Sequence, residues 1–212
     1  MKYTTLALVL GLGAFSPAFS ADWTGLLQGM QNDCETQTIV QKLHKKTSIP
    51  KALRGDIVKY TAKEGNYSLT SHVDIRLKNA TAFGKSITRI YNDESQWGSH
   101  SLNVYFTDGN FANIKSKFTV TVNGQKHAVG KNKSWLIPYD ENEEPQKAVS
   151  IPYKGVDYKK YQHLDDYNSP HIINTHGNGW WDDNMSGESM GRYIRLDFDS
   201  KKKMVSCSSA FG

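Results

Sequence analysis

The sequence lacks most of the features that mark specialised chains. Beyond its first twenty residues it has no apolar run near the ~20 residues a membrane-spanning helix needs, no internal repeat, no low-complexity tract and no linker-like stretch that divides it. It contains two cysteines but no Cys-x-x-Cys pair, which removes the usual thiol–disulfide redox motif. There is no His-Glu-x-x-His pair, the signature of a zinc hydrolase helix. Charge of one sign is scarce as well. The 26 Lys and Arg nearly balance 21 Asp and Glu, and the net +5 falls to +4 once Lys2 is set aside, which is too little for a dedicated nucleic-acid binder. What remains is ordinary globular composition: 212 residues, 38% hydrophobic and 22% charged, with a mean hydropathy of −0.59 and a pI near 9.0. Disordered chains carry fewer apolar residues, and membrane proteins carry long uncharged runs.

Residues 1–20 read as a secretory signal peptide: Lys2 supplies the positive start, Leu6 to Phe15 an uncharged run, and Ala18-Phe19-Ser20 a small-x-small cleavage site. No cysteine follows that site to carry a lipid, and no later segment is long enough to span a membrane. The expected location is therefore the periplasm or the exterior, with residues 21–212 forming one domain large enough to bury its own core. Cys34 and Cys207 then meet an oxidising compartment, and a disulfide between them is predicted; two free buried thiols are the alternative. Closing nearly the whole chain in this way is worth about 4 to 5 kcal/mol in the chain-entropy treatment.

From Asp22 to about Lys46, the residues Trp23, Leu26, Leu27, Met30 and Cys34 recur at helical spacing, with Asp22 as cap, so the pattern predicts one amphipathic N-terminal helix. After Gly55 the period changes to two, the mark of strands with one buried face. Val73, Ile75 and Leu77 alternate with polar residues, as do Leu102, Val104 and Phe106. Phe118 to Val122 and Gln125 to Val129 flank Asn123-Gly124, a strong hairpin signal. Ile194 to Phe198 and Lys203 to Ser208 make a second hairpin. Pro138 to Pro145 is an acidic, turn-rich loop, and Asp157 to Gly191, weakly periodic and rich in aromatic and polar residues, is read as a long loop of the kind that carries function. The predicted fold class is α+β: a mainly antiparallel sheet, curved or doubled into a sandwich, with the N-terminal helix packed on it.

Several constellations invite a chemical reading. Gly187-Glu188-Ser189-Met190-Gly191 matches the Gly-x-Ser-x-Gly nucleophile elbow, yet a glycine-rich loop precedes it, strand-like Arg192 to Phe198 follows, and no histidine lies beyond Ser189. His72 and Asp108 are the partners a chymotrypsin-like order would recruit. Asp182, Asn184 and Ser186, with Asp183 or Glu188 in support, offer alternating oxygens before Gly187 like half a calcium loop, but the twelfth position is Tyr193, not glutamate. His163, His171 and His176 share this stretch with Asp165, Asp166, Asp182 and Asp183, at spacings that fit no specific metal motif. No cofactor and no metal are therefore expected. Basic pairs such as Lys45-Lys46 fall at element ends, and the sequons at Asn66, Asn79, Asn132 and Asn184 matter only in a eukaryotic secretory pathway.

Tryptophan is the remaining signal. Trp97 and Trp135 are read into loops, and Trp180-Trp181 adjoin Asp182; two adjacent rings on a strand cannot both point inward, so one exposed ring with a polar rim is expected. The sequence thus leads to an exported, non-enzymatic binding protein that contacts an envelope glycan or protein through the 163–189 loop, with Trp180, Trp181, Asp182 and His176 as the binding residues. An exported hydrolase using Ser189 or a His/Asp metal site is one alternative, and a structural envelope protein is the other.

Overall fold

The computed structural model describes residues 20–65, 71–95, 99–140, 142, 144–154, 171–184 and 192–211. Residues 1–19 of the segment expected to be a signal peptide, Trp97, His163, Asp165, Asp166 and the 185–191 stretch containing Ser189 lie outside the described residues.

A short strand β1 (Ala21–Asp22) leads into helix α1 (Thr24–Leu27), a 3-10 turn (Gln28–Gln31), helix α2 (Gln37–His44) and helix α3 (Lys51–Arg54). The single N-terminal helix expected from the apolar spacing is thus broken into short pieces. Trp23, Leu27, Met30 and Cys34 all remain buried, but Asp33 and Cys34 adopt left-handed backbone (φ +52° and +51°), which ends helical progression. Gly29 lets the chain double back, because a Cβ there would stand 2.0 Å from the Glu35 carbonyl oxygen.

The strands that follow are β2 (Ile57–Lys63), β3 (Ser71–Ala82), β4 (Lys85–Glu94) and β5 (His100–Phe106). After helix α4 (Ala112–Lys115) come β6 (Thr119–Val122), β7 (Gln125–Ala128), β8 (Lys133–Ile137) and β9 (Val149–Ile151). The last four are β10 (His171–His176), β11 (Gly179–Asn184), β12 (Arg192–Asp199) and β13 (Met204–Phe211). Eleven strands form one sheet in the order β1-β3-β4-β5-β13-β12-β11-β10-β8-β9, with β2 also paired to β3; β6 and β7 make a separate hairpin. All pairings are antiparallel except β1 with β3. The chain is mostly strand with a few short helices, which is the β-rich part of the expected α+β class.

One face of the sheet carries the core. Val73, Ile75, Ile90, Leu102, Val104, Val205, Cys207, Leu196 and Phe198 pack there with Trp23, Leu27 and Leu43 from the N-terminal segment. Phe83, Phe106, Phe111, Phe118 and Phe198 continue it as a chain of edge-on and tilted rings, with centroids 4.9 to 5.5 Å apart, the geometry that aromatic quadrupoles favour. Cys34 and Cys207 are joined, S–S 2.10 Å, so the turn after α1 is tied to the middle of β13. Among the described residues no helix is long and apolar enough to cross a membrane.

The segment read as one long loop contains two core strands. β10 and β11 pair as a hairpin, and β10 is buried on both faces: Ile173 packs into the main core while Ile172 joins Leu136 and Ile151 in a smaller cluster on the opposite face. A strand with both faces covered shows no alternation, so its period is hidden. Trp135 likewise belongs to β8 rather than to a loop; it is buried, and His127 lies against its ring at 4.4 Å.

Candidate functional site

The four residues expected to bind are placed on different surfaces. Side chains alternate across a strand, so Trp180 points into the core, 1% exposed, while Trp181 points to the opposite face beside Leu136, Ile151 and Ile172. Among the described residues the Trp180 indole N–H has no hydrogen-bond partner. Asp182 shares the core-side face with Trp180, and His176 closes the far end of the hairpin, opposite Gly179. There His176 Nδ1 accepts the Asn178 N–H at 3.2 Å, and burial holds the imidazole pKa below its ordinary value, with Asp197 opposing and Arg195 and Lys115 reinforcing the shift. Lys115 Nζ donates to the Gly177 carbonyl at 2.7 Å, so this turn is docked on α4 and is not a freely projecting loop.

Asp182 is engaged already. Its carboxylate lies 2.5 Å from His171 Nε2, and His171 Nδ1 lies 3.0 Å from Tyr139 Oη, a short polar chain at the margin of the core-side face. Asp183, on the other face, cannot join Asp182 around one cation from a regular strand. Among the described residues no group of three or more His, Cys, Asp or Glu side chains is placed to hold a metal ion. His72 and Asp108 stand at opposite ends of the β3–β5 strands: His72 is level with Asp93, whereas Asp108 lies two residues beyond the end of β5 and is bound to Lys85 at 2.8 Å.

A different place gathers polar side chains around open space. Adjacent strands bring Ser71, Glu94, His100 and Ser209 into register as one cross-strand row on the core-side face: Ser71 opposite Glu94, Glu94 opposite His100, His100 opposite Ser209. Ser71 Oγ donates to Glu94 Oε2 at 3.0 Å. Ser209 Oγ lies 3.0 Å from His100 Nδ1, and Thr36 Oγ1, from the residue before α2, lies 2.9 Å from His100 Nε2. Helix α2 crosses above this row. Ile39 and Leu43 anchor it in the core, and His44 Nε2 reaches Asn92 Oδ1 at 3.3 Å. The gap between helix and row is a cleft of about 760 Å³ whose walls also include Leu26, Ile39 and Ile194. That volume and that mixture of apolar walls with a few convergent polar groups are those of small-molecule sites.

No family model, curated protein or solved structure matches the chain.

Sequence reasoning missed the cleft because its polar residues 36, 94, 100 and 209 are scattered over the chain: strand register joins the last three, and a hydrogen bond to His100 joins Thr36 to them. One trace was legible: Ser209 follows Cys207 by two residues, so a disulfide drawing Cys34 to β13 also draws Thr36 toward Ser209.

Proposed function

We propose that the mature protein is an exported, non-enzymatic binding protein of the cell envelope, taking a glycan or protein partner, and that its ligand seat is the cleft under α2 and not the aromatic hairpin. The observation that carries this reading is the convergence of Thr36, His100, Ser209 and Glu94 on one open cleft. Export is supported by the disulfide and by the signal-like segment 1–20. Thr38 lies on the exposed side of α2 and lines the cleft, so Thr38→Trp fills it without entering the core. Retention of the purified protein on native envelope fractions is expected to fall at least tenfold in this variant while Trp181→Ala retains it. The opposite pattern returns the site to the hairpin.

An exported hydrolase is the second reading, favoured by the Ser209–His100 contact, since a hydroxyl within hydrogen-bond reach of an imidazole is the core of an activated nucleophile. Among the described residues His100 Nε2 meets the Thr36 hydroxyl, while the carboxylate opposite it on β4, Glu94, accepts from Ser71 Oγ. Fluorophosphonate labelling separates the readings: a covalent adduct mapped to Ser209 or Ser189 establishes the hydrolase, and an unlabelled protein that still binds envelope material leaves the binding module.

A further inference from the structure

We infer that the ligand is a neutral, hydroxyl-rich chain, an oligosaccharide or polysaccharide segment, laid across the strand ends beneath α2; this inference rests on the binding reading above. The cleft does not stop at Glu94. A second cavity of about 640 Å³, bordered by Ser71, Glu64 and Lys45, shares Thr38, Val40, Gln41, Lys42 and Glu94 with the first. The two halves meet along the same side of α2 and form a groove, not a closed pocket. Its floor, from Ser71 on β3 to Ser209 on β13, crosses three inter-strand steps, roughly 14 Å at ~4.8 Å per step. A groove of that reach suits several linked units of a linear chain better than one compact molecule.

Charge then narrows the class. The walls bring Glu35, Glu64 and Glu94 together with Lys42 and Lys45, so neither a polyanion nor a polycation finds a field of opposite sign. The row contributes side-chain hydroxyls, a carboxylate and an imidazole, and Gln37 and Gln41 add amides that donate and accept. Sugar hydroxyls also donate and accept, whereas a peptide strand needs a row of main-chain groups, which side chains standing up from a sheet face do not supply. Leu26, Ile39 and Ile194 provide apolar wall for the C–H faces of the rings.

The test titrates the mature chain with cellohexaose, maltohexaose and chitohexaose, with the corresponding disaccharides, and with a heparin hexasaccharide and a hexalysine peptide as charged probes. Binding is read by calorimetry and by amide shifts along α2. The expected result is that one neutral hexasaccharide binds at least tenfold more tightly than its disaccharide. Thr38→Trp and, more mildly, Gln41→Ala weaken it, with unchanged circular dichroism and melting temperature. Binding of heparin or hexalysine alone, blocked by Thr38→Trp, overturns the neutral-chain inference and leaves the groove as a binding site. If no neutral hexasaccharide binds, the inference also fails, and the effect of Thr38→Trp on retention by envelope fractions decides the binding reading separately.

Discussion

Trp180 and Trp181 are neighbours in sequence but occupy different physical environments, and the difference predicts their mutational behaviour. Trp180 fills the core beside Leu196, so Trp180→Ala should cost about 3 to 5 kcal/mol, the usual range for emptying a buried aromatic site. Trp181 is only partly buried against the small outer cluster, and its truncation should cost clearly less, which denaturant melts of the two variants will rank. At the same scale His176 supplies a pH dependence. Its folded pKa lies below the ordinary value of about 6.5 because burial penalises the imidazolium, so between the two values the unfolded chain binds more protons than the folded one. Stability is then unaffected above that range and is lost as pH falls through it. His127, lowered first by burial and further by Lys133, adds in the same direction. Melting temperatures measured from pH 7.5 to 5 should fall toward acid, with a shallower fall in His176→Gln. An unchanged slope in that variant would show that this imidazole is not a source of the dependence.

Among elements, the legible strands and the hidden ones differ in the regularity of their pairing. β5, β12 and β13 alternate cleanly and are visible as a period of two. In β4 the register shifts between Ile87 and Arg89, so the buried side chains are Ile87, Ile90 and Asn92, a spacing that imitates neither strand nor helix. β3 is shifted between Arg76 and Ala80, where Asn79 adopts φ +52°, and only its first half alternates plainly. The Asn123-Gly124 hairpin forms as its dipeptide demands, both residues at positive φ. Beside its buried Val120 and Val122, part of its attachment to the rest of the molecule is a distant side chain: the Asp33 carboxylate accepts the Thr121 N–H and, at 2.8 Å, the Thr121 hydroxyl. Asp33→Ala should therefore destabilise by about 1 to 2 kcal/mol, as expected for hydrogen bonds to a charged group at a partly solvated site. Amide exchange should accelerate first at Thr121; a uniform acceleration over the whole sheet would mean that Asp33 does not pin this hairpin in particular.

For the whole molecule, the Cys34–Cys207 bond spans 173 residues and closes nearly the entire domain. Replacing both cysteines by alanine should lower stability by about 2 to 5 kcal/mol, the range for native disulfides in exported domains, which urea titration of the variant and the parent will measure. Because Cys34 lines the groove and Thr36 follows it by two residues, the same change should loosen α2 over the sheet and weaken the proposed ligand binding beyond what the melting temperature alone predicts. The sequence by itself determined the local and compositional properties: the β-rich class, the two hairpins, the cysteine pairing and the opposed directions of adjacent tryptophans, each of which follows from side-chain period, turn chemistry or a count of two thiols. Only the tertiary structure decided which tryptophan is buried, that β10 is a strand covered on both faces, and that residues 36, 71, 94, 100 and 209 share one groove. Those outcomes depend on register between strands far apart in the chain, and register is set by the packing of the whole sheet, which no local pattern encodes.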